Sequence, residues 1–202
     1  FPLWVAVPVQ SASPLASASI TALAKDQPGE VLADAQALAR GNLVHRLLQV
    51  LPGVAEDERA ALAHQMARRA GQPDATADEV LRLLALGVLA PILQADGLSE
   101  VALSATLPGF GPRVTGRIDR LAVDGETVTI VDYKTDRMFP ADLAGVPASY
   151  ARQMALYRKV MENAYPGRKI RCILVWTSAP SVMELPSSFL DQALVRLMAA
   201  RT

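Results

Sequence analysis

The chain has 202 residues, 51% of them hydrophobic, with 20 basic and 20 acidic side chains, which suits one globular domain large enough to bury a core. No apolar run approaches the roughly 18–20 residues of a membrane span, and the lone Cys172 excludes an internal disulfide or a cysteine-rich zinc or iron–sulfur site, so a cytoplasmic setting without a membrane partner is expected. A net charge of zero argues against a self-sufficient nucleic-acid binder, whose affinity comes mainly from neutralised phosphates; it fits an enzyme domain that receives its substrate from a larger machine.

Residues 1–29 scatter Pro2, Pro8, Pro14 and Pro28 among Ser and Ala, and are expected to form an extended arm or linker with a short helix near Ser19–Lys25. Trp4 reads as an aromatic that docks this arm on its parent protein, and a start at Phe1 rather than Met suggests a piece of a longer polypeptide. A helical part is expected over residues 30–96. Its first helix, Glu30–Gln49, repeats Val44, Leu47, Leu48 and Leu51 at i, i+3, i+4, i+7 and stops at Pro52-Gly53. A second covers Glu56–Ala70 and a third Ala77–Gln94, with Asp74 or Thr76 as its cap and Pro91 kinking its end. The character changes near Gly97. Residues 97–202 are expected to hold the sheet: strands Glu100–Thr106, Arg113–Val123 and Glu126–Tyr133, a helix Ala148–Ala164, strands Lys169–Thr177 and Val182–Leu185, and a closing helix Leu190–Ala200. That order is an α/β sheet with flanking helices.

The chemistry concentrates in GRIDRLAVDGETVTIVDYKT, residues 116–135. Alternation puts Val128, Ile130, Asp132 and Lys134 on one face of the third strand and Val131 and Tyr133 on the other. A strand apolar on both faces is central, and charges at its end normally pair or bind metal. If Asp124-Gly125 is a two-residue turn, Asp119 lies opposite Ile130 and diagonal to Asp132, where two carboxylates can converge on a hard divalent cation. A three-residue turn sends Asp119 to the wrong face. Paired carboxylates on metal are what phosphodiester hydrolysis needs, and Lys134 can orient the attacking water or neutralise the transition state. The plainer alternative is an Asp–Lys ion pair on an edge strand, with Asp119 a surface residue near the turn.

GRIDRL, then VDYKT, then RQMALY, preceded by GNLVHRLL, resembles the RecB-type branch of the PD-(D/E)XK nuclease superfamily over roughly residues 38–178. LARGNLVHRLLQVLP and VWTSAP make the chain most similar to the C-terminal nuclease domains of the A subunit of AddAB helicase–nucleases. The resemblance implies a restriction-endonuclease-like mixed sheet and a Mg²⁺-dependent DNA exonuclease (Mn²⁺ as an alternative) that processes double-strand-break ends. It also implies DNA strands supplied by helicase domains upstream in the same polypeptide, an AddB-type partner subunit, and ATP used only in the helicase portion. By motif, Asp119, Asp132 and Lys134 are catalytic, His45, Asp119 and Asp132 hold the metal, and Gln153 and Tyr157 contact DNA or steady the site. Glu100 matches an acidic position some members carry. Members with an iron–sulfur cluster need four cysteines, so none is expected here.

Beside these, Gly41 one turn before His45 is expected to admit a neighbouring backbone, and the downstream triad favours a metal or phosphate role for His45 over a structural one. Arg117 falls on the Asp119 face and could touch a phosphate or simply pair with the carboxylates. His64 reads as solvated surface and Cys172 as a small core residue. Two other functions compete: a catalytically inactive nuclease-like domain that binds DNA or scaffolds a helicase complex, and a stand-alone Cas4-like or phage exonuclease, which the missing cysteines and missing Met disfavour.

Overall fold

The computed structural model describes residues 17–25, 35–93, 97–111, 113–137 and 139–201, so Trp4, Pro28 and the first turn of the expected Glu30–Gln49 helix lie outside the described residues. In chain order, β1 (Ala18–Ser19) leads into α1 (Ile20–Ala24), within the short helix anticipated at Ser19–Lys25. Ile20 is fully buried beneath the sheet. The helix α2 (Ala35–Val50) buries Leu43, Val44, Leu47 and Leu48, and a 3-10 turn at Leu51–Gly53 ends it where proline removes a backbone donor. The next helix, α3 (Glu56–Arg69), starts with Glu56, Asp57 and Glu58 and ends with Arg68 and Arg69, each sign placed to oppose the helix dipole. Gly71, at φ 65°, closes it with Gln72 N–H on the Ala67 carbonyl and Gly71 N–H on that of Arg68, a full Schellman closure.

The third helix differs from expectation. It is α4 (Asp74–Leu84), starting three residues before Ala77 and stopping ten before Gln94. Pro73 fixes an extended φ at the cap position, so Asp74 becomes the first helical residue and neither it nor Thr76 caps through its side chain. Beyond Leu84 the chain passes into i→i+3 turns, with Leu89 N–H on the Leu86 carbonyl and Ile92 N–H on that of Leu89. His64 also departs from the solvated reading, because its Nε2 lies 2.8 Å from Asp78 Oδ1 and ties α3 to α4.

The strands are β2 (Leu98–Ala105), β3 (Val114–Asp124), β4 (Thr127–Lys134), β5 (Lys169–Trp176) and β6 (Ser181–Leu185), with α5 (Ala148–Ala164) crossing from β4 to β5 and α6 (Ser187–Ala199) closing the chain. The described residues form a mixed six-stranded sheet in the order β1-β3-β4-β5-β6, with β2 on the other edge of β3. The β4–β5 pair is parallel, and β3–β4 and β5–β6 are antiparallel. Helices cover both faces. Val128, Ile130, Cys172 and Leu174 pack with Met154, Leu156 and Tyr157 of α5, while Val131, Tyr133, Ile173 and Val175 pack with Val44, Leu47 and Leu48 of α2. This confirms the mixed α/β class and the two-sided apolar reading of β4. Cys172 is a core residue as expected, its thiol pushed up to about 12 chiefly by burial.

The hairpin register needs a correction. Val123 pairs with Val128 and Asp124 with Thr127, so the two-residue turn is Gly125-Glu126, not Asp124-Gly125. Gly125 takes φ 51° while neither neighbour has positive φ. A loop with glycine at its first central position is the II′ arrangement, whereas Asp124-Gly125 would have required positive φ at Asp124. The slip is two residues, so by itself it turns no side chain to the other face, and Leu121 and Ile130 share one core cluster. Leu121, not Asp119, stands opposite Ile130.

The seating of β1 and α1 yields the first prediction. Ile20→Ala should destabilise the fold by about 2–5 kcal/mol through cavity formation, read as a lower urea midpoint at constant m. Val195→Ala on the exposed side of α6 should stay within about 0.5 kcal/mol; equal effects for the two would show that residues 18–24 are not part of the core.

Candidate metal centre

Along one edge, β3 pairs with β2 from Val114 to Leu121. Along the other it has two neighbours in turn: β1 at Val114–Thr115 and β4 at Arg120–Asp124. Between them, residues 116–119 face neither strand, and the sheet splits. Two side chains span the split. Asp119 Oδ2 accepts the Tyr133 N–H at 2.7 Å, and the Tyr157 hydroxyl donates to the Arg117 carbonyl at 2.6 Å. Gly116 makes the second contact available, since a Cβ there would stand 2.9 Å from the Tyr157 ring and 3.2 Å from Ile20.

The strand β3 also kinks here. Ile118 and Leu121 join the same core cluster although they are three apart, and the β2–β3 ladder skips one position between Val101↔Ile118 and Ser99↔Arg120. The skipped residues are Glu100 and Asp119. Among the described residues Glu100 is the one non-glycine with positive φ, at 55°, a conformation that costs of order 1–3 kcal/mol and concentrates at functional sites.

On the α5 side of the split, Asp132 is 4% exposed and its Oδ2 lies 2.6 Å from Lys134 Nζ. The same ammonium donates to Gln153 Oε1 at 2.8 Å and sits 3.9 Å from the centre of the Tyr150 ring. Gln153 Nε2 in turn reaches the Tyr157 hydroxyl at 3.3 Å and Thr21 Oγ1 at 3.4 Å. Burial pushes the Asp132 carboxyl above its ordinary range; Lys134 offsets part of that, and the neighbouring Asp119 charge adds to it. Gln153 and Tyr157 thus hold the lysine and fill the split rather than presenting themselves to solvent.

On the α2 side, His45 Nδ1 lies 3.4 Å from Asp119 Oδ1, with its ring edge-on to Tyr133 at 6.0 Å between centroids. Burial lowers the His45 pKa, but the Asp119 hydrogen bond and the charges of Asp119, Asp132 and Glu100 outweigh it and leave the ring more basic than usual. Ligand atoms of His45, Glu100 and Asp119 lie within 4.8 Å of one another. Asp132 stands outside that group, held by Lys134, yet close enough that Asp119 and His45 both move its titration. An imidazole nitrogen with carboxylate oxygens, beside a buried carboxyl whose ionisation is penalised, is a donor set suited to a hard divalent cation.

Arg117, 65% exposed, donates from one guanidinium nitrogen to Glu100 Oε2 at 3.1 Å. Asn42, Arg46 and Gln49 of α2 line a cleft of about 540 Å³ with His45, Glu100, Arg117 and Asp119. Their spacing from His45 (i−3, i+1, i+4) places them on one helical face, a signal present in the sequence. Tyr150 shares a face of α5 with Gln153 and Tyr157 (i, i+3, i+7), whereas Thr21 had no such signal, because it reaches the site from an element distant in the chain. Gly41 does not admit a backbone: a Cβ there would meet the Thr135 hydroxyl at 3.4 Å, and the backbone of Thr135 is gripped instead by Arg40, 3.1 Å from its carbonyl.

No curated protein matches the sequence. Among solved structures, the crystal structure of SSO0001 aligns at 12% identity over 95% of this chain and 79% of that one, with a TM-score of 0.39, a likeness too loose to build on. The model of the PD-(D/E)XK nuclease superfamily matches residues 22–198. That span takes in β3, β4, α5 and each of His45, Glu100, Asp119, Asp132 and Lys134. The chain belongs to the PD-(D/E)XK nuclease superfamily, whose members are nucleases that generally depend on divalent metal ions.

Proposed function

We propose that this chain is a Mg²⁺-dependent DNA exonuclease domain of the RecB-type branch, most similar to the nuclease domains of AddA subunits. It would trim strands at double-strand breaks in the bacterial cytoplasm, fed by helicase domains of the same polypeptide and paired with an AddB-type subunit. The observation that carries the chemistry is the convergence, at one split in the sheet, of the His45/Glu100/Asp119 donor group and the Asp132–Lys134 pair. The branch, the exonucleolytic mode and the motor partner rest on GNLVHRLL, GRIDRL, VDYKT, RQMALY and VWTSAP, and the zero net charge favours delivery of DNA by a larger assembly.

A divalent cation on His45, Glu100 and Asp119, with Asp132 beside it, would supply charge neutralisation and activation of the attacking water. Lys134 does the rest. Its Nζ is held by Asp132, Gln153 and the Tyr150 face, so its positive charge is positioned before substrate arrives, as electrostatic stabilisation of a developing phosphorane requires. Tyr157 and Gln153 keep α5 registered on β3 and thereby set the height of that ammonium.

The full chain should therefore degrade linear single-stranded DNA with Mg²⁺ and leave circular single strands intact, and EDTA should abolish the activity. Asp132→Ala and Lys134→Ala should each lower kcat by about 10²–10³ or more. Cleavage of circles would remove the exonuclease assignment, activity surviving in Asp132→Ala would remove the site, and inactivity of the unaltered chain under all divalent ions would favour the scaffold reading.

Metal binding can be read without activity. Mg²⁺ at 100 times its Kd should stabilise the fold by about 2.7 kcal/mol, seen as a raised Tm, and Asp119→Asn should lose that rise while its amide oxygen still accepts the Tyr133 N–H. The shift should also fade as pH is lowered. His45 binds metal only when neutral, and its raised pKa makes the proton a stronger competitor. In metal-free protein the same shift works in the opposite sense: its stabilising contribution is complete below the ordinary histidine value and is lost as pH rises through the raised one. His45→Asn should flatten both trends, and an unchanged pH dependence would exclude His45 as a ligand.

A further inference from the structure

The carboxylate of Glu100 serves two masters: it belongs to the group of ligand atoms within 4.8 Å, and it accepts Arg117 at 3.1 Å. We propose that Arg117 is the resident counter-ion of Glu100 and transfers to a phosphate oxygen of the DNA when a divalent cation takes that carboxylate over; this rests on the nuclease reading above.

Three observations point the same way. First, two of the other cations nearby are committed, and Arg46 of the same cleft bonds to Gln49 rather than to a carboxylate of the donor group. Lys134 is 11% exposed between Asp132 and Gln153, and Arg120 is 3% exposed, with its Nε on the Ile92 carbonyl and another nitrogen on Ser99 Oγ. Arg117 is 65% exposed and engages Glu100 through one guanidinium nitrogen, leaving the fork that binds phosphate bidentately available. Second, with a divalent cation in place the charges balance once a phosphate is present for Arg117 to pair with. Glu100 and Asp119 together offset a divalent cation, so a guanidinium left in place would be a surplus positive charge until a phosphate supplies its counter-charge. Third, the transfer is easy, because an exposed ion pair is weak. The skipped ladder position and positive φ of Glu100 keep its carboxylate within reach of both claimants, and Arg117, two residues before Asp119 and lining the same cleft, lies beside the phosphate that the cation would hold.

The proposal separates metal binding from catalysis in opposite directions. With the full chain at low salt and Mn²⁺ as the probe, followed by electron paramagnetic resonance, Arg117→Gln should bind Mn²⁺ about twofold to fivefold more tightly, the scale of one exposed ion pair. Its kcat on linear single-stranded DNA should nonetheless fall about tenfold to a hundredfold. Arg117→Lys should return Mn²⁺ affinity to the unaltered value yet recover only part of kcat, because an ammonium cannot reproduce the fork. Arg46→Gln removes a charge from the same cleft and should tighten Mn²⁺ less than Arg117→Gln. In a Glu100→Gln background, Arg117→Gln should leave Mn²⁺ affinity unchanged, since the competition is already gone. Equal or weaker Mn²⁺ binding by Arg117→Gln, or a full effect persisting in the Glu100→Gln background, would overturn the counter-ion role. Tighter Mn²⁺ with unchanged kcat and KM would overturn the transfer. Failure of the unaltered chain to cut DNA removes the nuclease reading, whereas the Mn²⁺ comparison still decides whether Arg117 and the cation compete.

Discussion

Almost everything that defines the candidate site follows from one constraint on backbone hydrogen bonding. A long strand, β3, must satisfy its donors and acceptors on both edges, yet β4 covers only its C-terminal half on one of them and β1 only its first two residues. The uncovered stretch would leave buried backbone groups without partners. Tyr157 supplies one on β3, donating to the Arg117 carbonyl, and Asp119 serves the facing end of β4, accepting the Tyr133 N–H. The carboxylate that bridges the strands is therefore also the one that meets His45, and the tyrosine that closes the gap also carries Gln153 against Lys134.

That economy has an electrostatic side. Asp119, Glu100 and Asp132 bring three carboxylates to a region half-shielded from water, and each answers to a different partner: His45, Arg117 and Lys134. Asp132 is the most deeply placed, and burial disfavours its charge even with an ammonium at 2.6 Å. Breaking such a buried pair by removing one member is strongly destabilising, so Lys134 is structural and chemical at once. The outer pair, Glu100 with Arg117, is exposed and cheaply rearranged. The site thus has a rigid inner half and an exchangeable outer half.

Much of this was legible in the sequence, for physical reasons that can be named. The two-sided apolar run in β4 announces a central strand, and Asp132 and Lys134 at its end follow by alternation. The hairpin register is displaced by two residues because Asp-Gly fits a I′ turn in general, whereas here the chain uses Gly-Glu; side-chain alternation has period two, so that slip turns no face, but the break in alternation between Ile118 and Leu121 carries Asp119 to His45 on the α2 side. The third helix was over-extended because Leu86, Leu89, Ile92 and Leu93 keep a helical spacing in a segment whose backbone is turns, their burial coming from tertiary packing rather than from helix. What remained hidden depends on long-range contact: the kink that pairs Glu100 with Asp119, the ring of Tyr150 over Lys134, and Thr21 behind Gln153. No local pattern encodes a meeting between residues on different elements, whether 16 positions apart, as Lys134 and Tyr150, or 132, as Thr21 and Gln153.

The two faces of the sheet belong to different cores, and the centre draws on both. His45 is mounted on the helix that packs over Val131 and Tyr133, while Gln153 and Tyr157 ride on the helix that packs over Val128 and Ile130. The separation between the His45 imidazole and the Gln153 amide is accordingly set by the thickness of two hydrophobic layers. Leu47 and Met154, both fully buried and neither in reach of a ligand, act as spacers whose volumes fix that distance. Selection on the chemistry should then be felt as selection on packing volume, with exchanges that preserve bulk tolerated and those that thicken or thin either layer purged.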